Sequence, residues 1–183
     1  GPAQLHYKLR RGEREGMARL QWQRDESGYL LRLDTEWPGQ PGSGATSRGR
    51  VDADGLAPVR QAQLRRDREV RAVNFQREAG IITFSGPQTG GEIALFVAGP
   101  SGDAEVWRFA VEGRERLMLP AGEVADALHL RREPTRPYDT RVEVWLDPAQ
   151  SHLPVRVRYT PVPGDAPLLL ELASPAGAMA VRP

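Results

Sequence analysis

Residues 138–160 carry the clearest alternation of apolar and polar side chains in the chain. Apolar residues recur at every second position on both sides of a central turn, at Val142, Val144, Leu146, Val155, Val157 and Tyr159. A period of two is typical of a half-buried strand, and Pro148 and Pro154 mark the turn between the two segments. The stretch is therefore predicted to be a β-hairpin. Glu143 and Trp145 fall on the other face of its first strand.

The same alternation recurs along most of the chain. Short apolar segments, separated by turns rich in Gly, Pro, Asp and Ser, lie at 5–9, 18–22, 29–35, 50–52, 59–64, 69–76, 81–84, 92–98, 107–111, 125–132 and 168–172. No segment keeps a helical period over about eleven residues. The chain therefore reads as a succession of strands joined by turns.

The secondary structure of two segments is less clear from the alternation. Residues 38–49 are rich in Pro, Gly and Ser and nearly free of apolar side chains, which predicts a loop. Residues 123–132 have the propensity for a short helix. We predict a strand there, because Leu128 and Leu130 are spaced by two and no helix cap stands at the right place.

The pattern predicts an all-β fold. About ten to twelve short strands, with turn signals every eight to twelve residues, are typical of an antiparallel curled sheet, a half-barrel or an open barrel. A chain of 183 residues fits one domain of this kind. We assign residues 4–174 to that single β domain and residues 175–183, which are weakly patterned, to a C-terminal tail.

The amino-acid composition excludes several classes of functional site. The chain has no cysteine, so disulfides, thiol nucleophiles and cysteine-bound metals are excluded. Its net charge of +1 provides no broad positive field for nucleic acid, and no nucleic-acid partner is expected. No stretch approaches the roughly 20 apolar residues of a membrane-spanning helix. The first two residues, Gly1 and Pro2, are typical of a cleaved expression tag, so we expect that the native N-terminus has been trimmed, and a signal peptide with it.

Candidate catalytic and metal-binding residues are few. The serines lie in Gly/Pro loops without the Gly-x-Ser-x-Gly pattern, and the three histidines lack the local spacing of metal ligands. Asp34 and Glu36 share one face of a strand, as paired carboxylates would, but exposed strand acids often do so. Arginines on the polar faces are better explained by cross-strand ion pairs. We therefore expect no enzyme activity, no metal and no cofactor.

Several short stretches, in this order, resemble one protein family. They are Leu5-His6-Tyr7, Gly16-Met17-Ala18, Gly28-Tyr29, Gly49-Arg50-Val51-Asp52, Gly55-Leu56-Ala57-Pro58, Leu119-Pro120-Ala121-Gly122, Glu143-Val144-Trp145-Leu146 and Leu153-Pro154-Val155-Arg156-Val157. The chain is similar to the exported bacterial proteins known as domain of unknown function 3108. The resemblance implies a periplasmic or envelope-associated β protein and implies no activity. Members usually carry an acidic helical segment where this chain has residues 86–91, so either that helix is lost or residues are missing between Ser85 and Gly91.

The tryptophans are the strongest remaining indication of a binding site. Trp22 and Trp107 fall on apolar faces, whereas Trp145 falls on a polar face, as expected if that side meets a cavity, a lid or a partner. We take these three as ligand-binding candidates for a lipid or another apolar or amphipathic molecule. On this hypothesis Trp145→Ala leaves the domain folded, whereas Leu146→Asp unfolds it. The alternative is a protein-interaction module that uses a sheet edge or the 38–49 loop.

Overall fold

The computed structural model describes residues 3–52, 55–74, 92–98, 104–132 and 136–174. These residues form twelve strands and one 3-10 helical turn at Pro148–Gln150. The strands are β1 (Ala3–Arg11), β2 (Arg14–Asp25), β3 (Gly28–Glu36), β4 (Ser43–Asp52), β5 (Gly55–Arg65), β6 (Arg68–Asn74), β7 (Glu92–Ala98), β8 (Ala104–Leu119), β9 (Gly122–Arg132), β10 (Arg141–Asp147), β11 (Leu153–Thr160) and β12 (Leu168–Leu172).

All twelve strands belong to one antiparallel sheet with the order β6-β5-β4-β3-β2-β1-β12-β11-β10-β9-β8-β7. Most neighbours are consecutive in sequence, as expected where turns follow strands closely. The exception joins the two halves of the chain: β1 pairs with β12, with Tyr7 opposite Leu172. The sheet is curled and does not close, so the predicted open, all-β architecture is confirmed.

The predicted loop at 38–49 is wrong for most of its length. Residues 43–49 lie in β4, which pairs with β3 on one side and β5 on the other. Backbone hydrogen bonds to two neighbours hold this segment, so it needs few apolar side chains. Gly44 also shows why small residues occur here, since a Cβ atom on it would lie 2.8 Å from the Leu33 carbonyl oxygen. The turn before β4 is therefore confined to residues 37–42.

The strand prediction at 123–132 is confirmed, because these residues belong to β9 and pair with β10. Their partner β8 is longer than predicted and continues to Leu119, with irregularities in its pairing near Gly113 and Leu117. Such bulges add twist and bend a strand, which allows a long hairpin to follow a curled sheet. The predicted strand at 81–84, the segment at 86–91 and the tail at 175–183 lie outside the described residues.

The curl brings the β8–β9 turn to a strand far from it in the sheet order. The Ala121 amide donates a hydrogen bond to the Leu172 carbonyl across 3.0 Å, although β10 and β11 lie between β9 and β12. The Tyr7 hydroxyl likewise donates to the Pro154 carbonyl at 2.9 Å. The main core forms where these elements meet, from Leu5, Tyr7, Leu9, Ala18, Leu117, Leu119, Val124, Ala127, Trp145, Val155 and Leu172. A smaller cluster contains Phe109, Leu130 and Val142.

Candidate functional site

Trp145 lies inside the protein, in the main core cluster with Leu117, Val124 and Ala127 of the β8–β9 hairpin, and only 3% of it is exposed. The expectation that Trp145→Ala leaves the fold intact is therefore not supported by the packing. The face of β10 that the sequence marks as polar is covered, because the curled hairpin passes over it.

Polar side chains surround the Trp145 ring on both sides. The His129 ring stacks on it with centroids 4.2 Å apart and planes 7° apart, while the guanidinium carbon of Arg156 lies 5.4 Å from the ring centroid. The indole N–H donates to the Glu115 carboxylate. Glu143 completes the group, since its carboxylate lies 3.1 Å from His129 Nε2. A tryptophan whose ring faces and N–H are already occupied is well suited to a structural role.

The three candidate tryptophans have different surroundings. Trp22 is half-buried on β2 and stacks on Tyr29 of β3, with ring centroids 5.5 Å apart. Trp107 lies in β8 opposite Leu95 of β7, and its side chain is outside the described part of the protein. The Trp145 ring stacks on the His129 ring. Their assignment as ligand-binding residues stays a prediction.

A pocket of about 570 Å³ lies in the N-terminal half of the sheet, and we call it the N-terminal pocket. Strands β2 to β5 provide its floor, and the turns that follow β3 and β5 provide its walls. The two turns are held together by a hydrogen bond from the Arg66 amide to the Gly42 carbonyl, at 3.0 Å. The lining residues are Gly16, Met17, Arg19, Arg32, Asp34, Thr35, Glu36, Trp37, Pro38, Gln40, Gly42, Ser43, Gly44, Leu64, Arg66 and Asp67.

A chain of ion pairs crosses the floor of the N-terminal pocket. Arg32 Nε lies 2.9 Å from both carboxylate oxygens of Asp34, and Arg32 Nη2 donates to Asp67 at 2.7 Å. Arg19 approaches Asp34 from the other side at 3.4 Å. The hydrogen bond to Asp34, followed by the one to Asp67, raises the pKa of Arg32. These contacts tie the floor to the β5–β6 turn and thereby shape the pocket.

A second cavity, of about 140 Å³, adjoins the N-terminal pocket and shares Met17, Arg19, Asp34 and Glu36 with it. His6 is among its lining residues, and its Nε2 lies 3.0 Å from Gln4 Nε2. Asp34 and Glu36 do share a face, as their spacing predicts. The turn residues of the pocket could not be found in this way, because their position depends on how two hairpins meet.

The N-terminal pocket combines charge with apolar surface. Glu36 and Arg66 form no ion pair with another described residue, and they lie beside the apolar side chains of Met17 and Trp37. Such a lining can bind a molecule that has both polar and apolar parts. Within the described ranges, no group of three or more His, Asp or Glu side chains is arranged to hold a metal ion. The same ranges contain no helix long and apolar enough to cross a membrane.

Comparison with known proteins gives one match. No curated protein and no solved structure matches the chain. Residues 85–171 match the profile of a family described as proteins of unknown function, DUF3108. The matched region includes Trp107 and Trp145, while Trp22 and the N-terminal pocket precede it. The match over residues 85–171 confirms the resemblance to the DUF3108 family that the sequence predicted.

Proposed function

We propose that the protein is a non-catalytic, exported envelope protein whose curled sheet holds an apolar or amphipathic ligand in the N-terminal pocket. The observation that carries the proposal is the pocket itself, with a volume of about 570 Å³. Small-molecule sites are usually concave and measure roughly 300–1,000 Å³, with apolar walls and a few polar groups that orient the ligand. The proposal rests on this combination of size and lining.

The lining favours an amphipathic ligand over a purely apolar one. Met17 and Trp37 offer apolar contact, but Arg19 and Glu36 border the same space and would lose hydration under an apolar molecule. A ligand with a polar group at one end can pair with these charges and place its apolar part on the tryptophan. The lining therefore favours a lipid-like or similarly two-sided molecule.

The acidic groups of the pocket support binding over catalysis. General acid–base catalysis needs a carboxyl group that is free to exchange a proton with the bound molecule. Asp34 is instead engaged by Arg32 and Arg19. Glu36 remains, but chemistry with paired carboxylates needs a second free acid.

The exported location rests on the DUF3108 match together with the resemblance to exported members of that family. Fractionation of cells that produce the full-length protein with its own N-terminal region tests this part. Recovery in the periplasmic or envelope fraction is expected. Recovery with a cytoplasmic marker enzyme would contradict it, whatever the pocket binds.

Solvent extraction of the purified protein tests whether it carries a bound ligand. Protein purified from its native envelope is denatured in organic solvent, and the extract is analysed by mass spectrometry against an extract of a purified control protein from the same cells. A lipid or other amphipathic molecule in about equimolar amount is the expected result for a drug-sized site. An extract identical to the control's would count against the proposal.

Two matched variants locate the site. Trp37→Ala removes the aromatic wall of the pocket, whereas Trp22→Ala removes a half-buried tryptophan on the opposite face of β2 from Arg19. Loss of the co-purified molecule only in Trp37→Ala is expected, with thermal melts showing that both variants are folded. If only Trp22→Ala loses it, the ligand lies on the other face and the pocket assignment is wrong.

The interaction alternative keeps one supporting observation. Strands β6 and β7 are the outer strands of the sheet that the described residues form. An outer strand can add a strand from a partner. Residues 43–49 no longer support this alternative, because β4 is paired on both sides. Crosslinking in intact cells tests it: a recurrent partner captured through β6 or β7 is expected, and a solitary monomer would refute it.

A further inference from the structure

The turn between β5 and β6 carries three arginines that have no acidic partner among the described residues. Arg65, Arg66 and Arg68 are exposed, and none of them forms an ion pair with another described residue. The two acids nearby are already engaged, since Asp67 pairs with Arg32 and Glu69 pairs with Arg60. The positive charge of the turn is therefore not neutralised within the part of the protein that the structure describes.

One exposed apolar side chain accompanies these arginines. Val70 is 62% exposed and lies where the pairing of β5 with β6 shifts, between Leu64–Glu69 and Gln63–Arg71. The bulge places Val70 beside the turn. As a result, one surface depression is lined by Arg65, Arg66, Arg68 and Val70. We call these four residues the basic tip.

The basic tip is an unfavourable arrangement in isolation. Arg65 stands directly opposite Arg68 across the two strands, and like charges in that position destabilise a sheet. The intervening Arg66 has a φ of 50°, in a two-residue turn that favours Asn, Asp or Gly over arginine. An anionic partner would relieve the repulsion, which is a physical reason for three arginines to occur together here.

We propose that the basic tip docks the protein on an anionic lipid bilayer. Guanidinium groups bind phosphate oxygens through paired hydrogen bonds, and a bilayer surface presents many phosphates in one plane. Arginine stems and an exposed valine can enter the boundary between headgroups and acyl chains, where charge and apolar contact act together. A single small anion would use the charge and leave Val70 without a role.

Docking at this tip would also place the N-terminal pocket next to the bilayer. Arg66 belongs both to the basic tip and to the pocket wall, and Asp67 beside it joins the floor through Arg32. An amphipathic molecule could then pass between membrane and pocket over a short distance. The docking itself does not depend on the ligand that the pocket binds, so the two proposals can fail separately.

Flotation of the full chain with vesicles tests the docking. Vesicles of phosphatidylcholine alone are compared with vesicles of phosphatidylcholine and phosphatidylglycerol, at low and at physiological ionic strength. The double variant Arg65→Gln/Arg68→Gln removes two charges from the tip. Arg24→Gln/Arg50→Gln is the matched control, because it makes the same change in net charge towards the opposite end of the strands, on two exposed arginines.

The wild-type protein is expected to bind only the vesicles that contain phosphatidylglycerol, and salt should weaken the binding. Each arginine near an anionic surface contributes about fivefold, so the tip variant should bind roughly 25-fold more weakly while the control variant changes little. The tip variant should melt no lower than wild type, since it removes a like-charge pair. Three results would overturn the proposal: no binding at low salt, equal loss in the control variant, or capture of an acidic protein without binding to vesicles.

Discussion

Replacing Trp145 by alanine is the sharpest test of how this sheet is stabilised. The side chain is 3% exposed and belongs to the main core, although the alternation along β10 places it on the polar face. If the β8–β9 hairpin covers that face, Trp145→Ala must leave a cavity beneath it. The variant therefore tests the curl of the sheet as well as one contact.

The expected loss can be estimated from the surroundings of the ring. Truncation of a buried tryptophan to alanine costs about 3–5 kcal/mol, of which each cation–π contact accounts for about 0.5–1 kcal/mol. Two guanidinium groups, those of Arg156 and Arg158, lie within 5.7 Å of the ring centroid. The carboxylate of Glu115 belongs to an exposed residue and can bind water instead, so its lost hydrogen bond adds little. We expect a loss of about 4 kcal/mol, a large part of the roughly 5–15 kcal/mol typical of a domain.

Equilibrium unfolding in urea, followed by far-ultraviolet circular dichroism, measures this loss without depending on tryptophan fluorescence. Trp22→Ala is the matched control, because that ring is half-buried and contacts Tyr29 at one side. It should cost about 1–2 kcal/mol, since less surface is buried. A cost for Trp145→Ala of about 1 kcal/mol or less, or one no larger than that of the control, would refute a covered core at this position.

Two further predictions concern the packing of Tyr7 in β1 and the close approach of Gly28 to β4. Burial raises the pKa of Tyr7 to about 12, so the stability that its neutral form provides is complete below about pH 10 and falls by about 2–3 kcal/mol as the pH rises to about 12. Urea unfolding across that range should show the fall in wild type and a smaller one in Tyr7→Phe; equal falls would contradict the assignment. Gly28→Ala should destabilise by about 3 kcal/mol, because its Cβ would lie 2.1 Å from the Gly49 carbonyl oxygen. At Gly12 no described atom lies within 4 Å of the position of an added Cβ. Gly12→Ala should therefore cost only about 1 kcal/mol for its left-handed backbone, and equal thermal shifts in the two variants would refute the clash.

The strands themselves could be predicted from the sequence. Val142, Val144 and Leu146 recur at the strand period, and the structure places them in β10. Residues 43–49 could not be predicted in this way, because β4 has few apolar side chains. A segment held by hydrogen bonds to two neighbours can be a strand without an apolar pattern, because its backbone, and not its side chains, provides most of the contacts.

The residues predicted to bind a ligand differ from the described residues that line the N-terminal pocket, for a related reason. Aromatic residues were chosen because they stand out along the chain, but the structure buries Trp145 and stacks Trp22 on Tyr29. The pocket depends instead on turn residues such as Trp37 and Arg66, which carry no local pattern. Only Asp34 and Glu36, spaced by two on one strand, could be placed together beforehand.

The sequence by itself determined the strand content, the antiparallel class and the family resemblance, because each of these depends on residues close together in the chain. Only the tertiary structure decided which face of each strand is covered and where a cavity forms. Ala121 meets Leu172, and Arg66 meets Gly42, through backbone hydrogen bonds that no local alternation specifies. Trp145 is buried for the same reason: a period of two tells the two faces of a strand apart, but a distant hairpin determines which of them meets water.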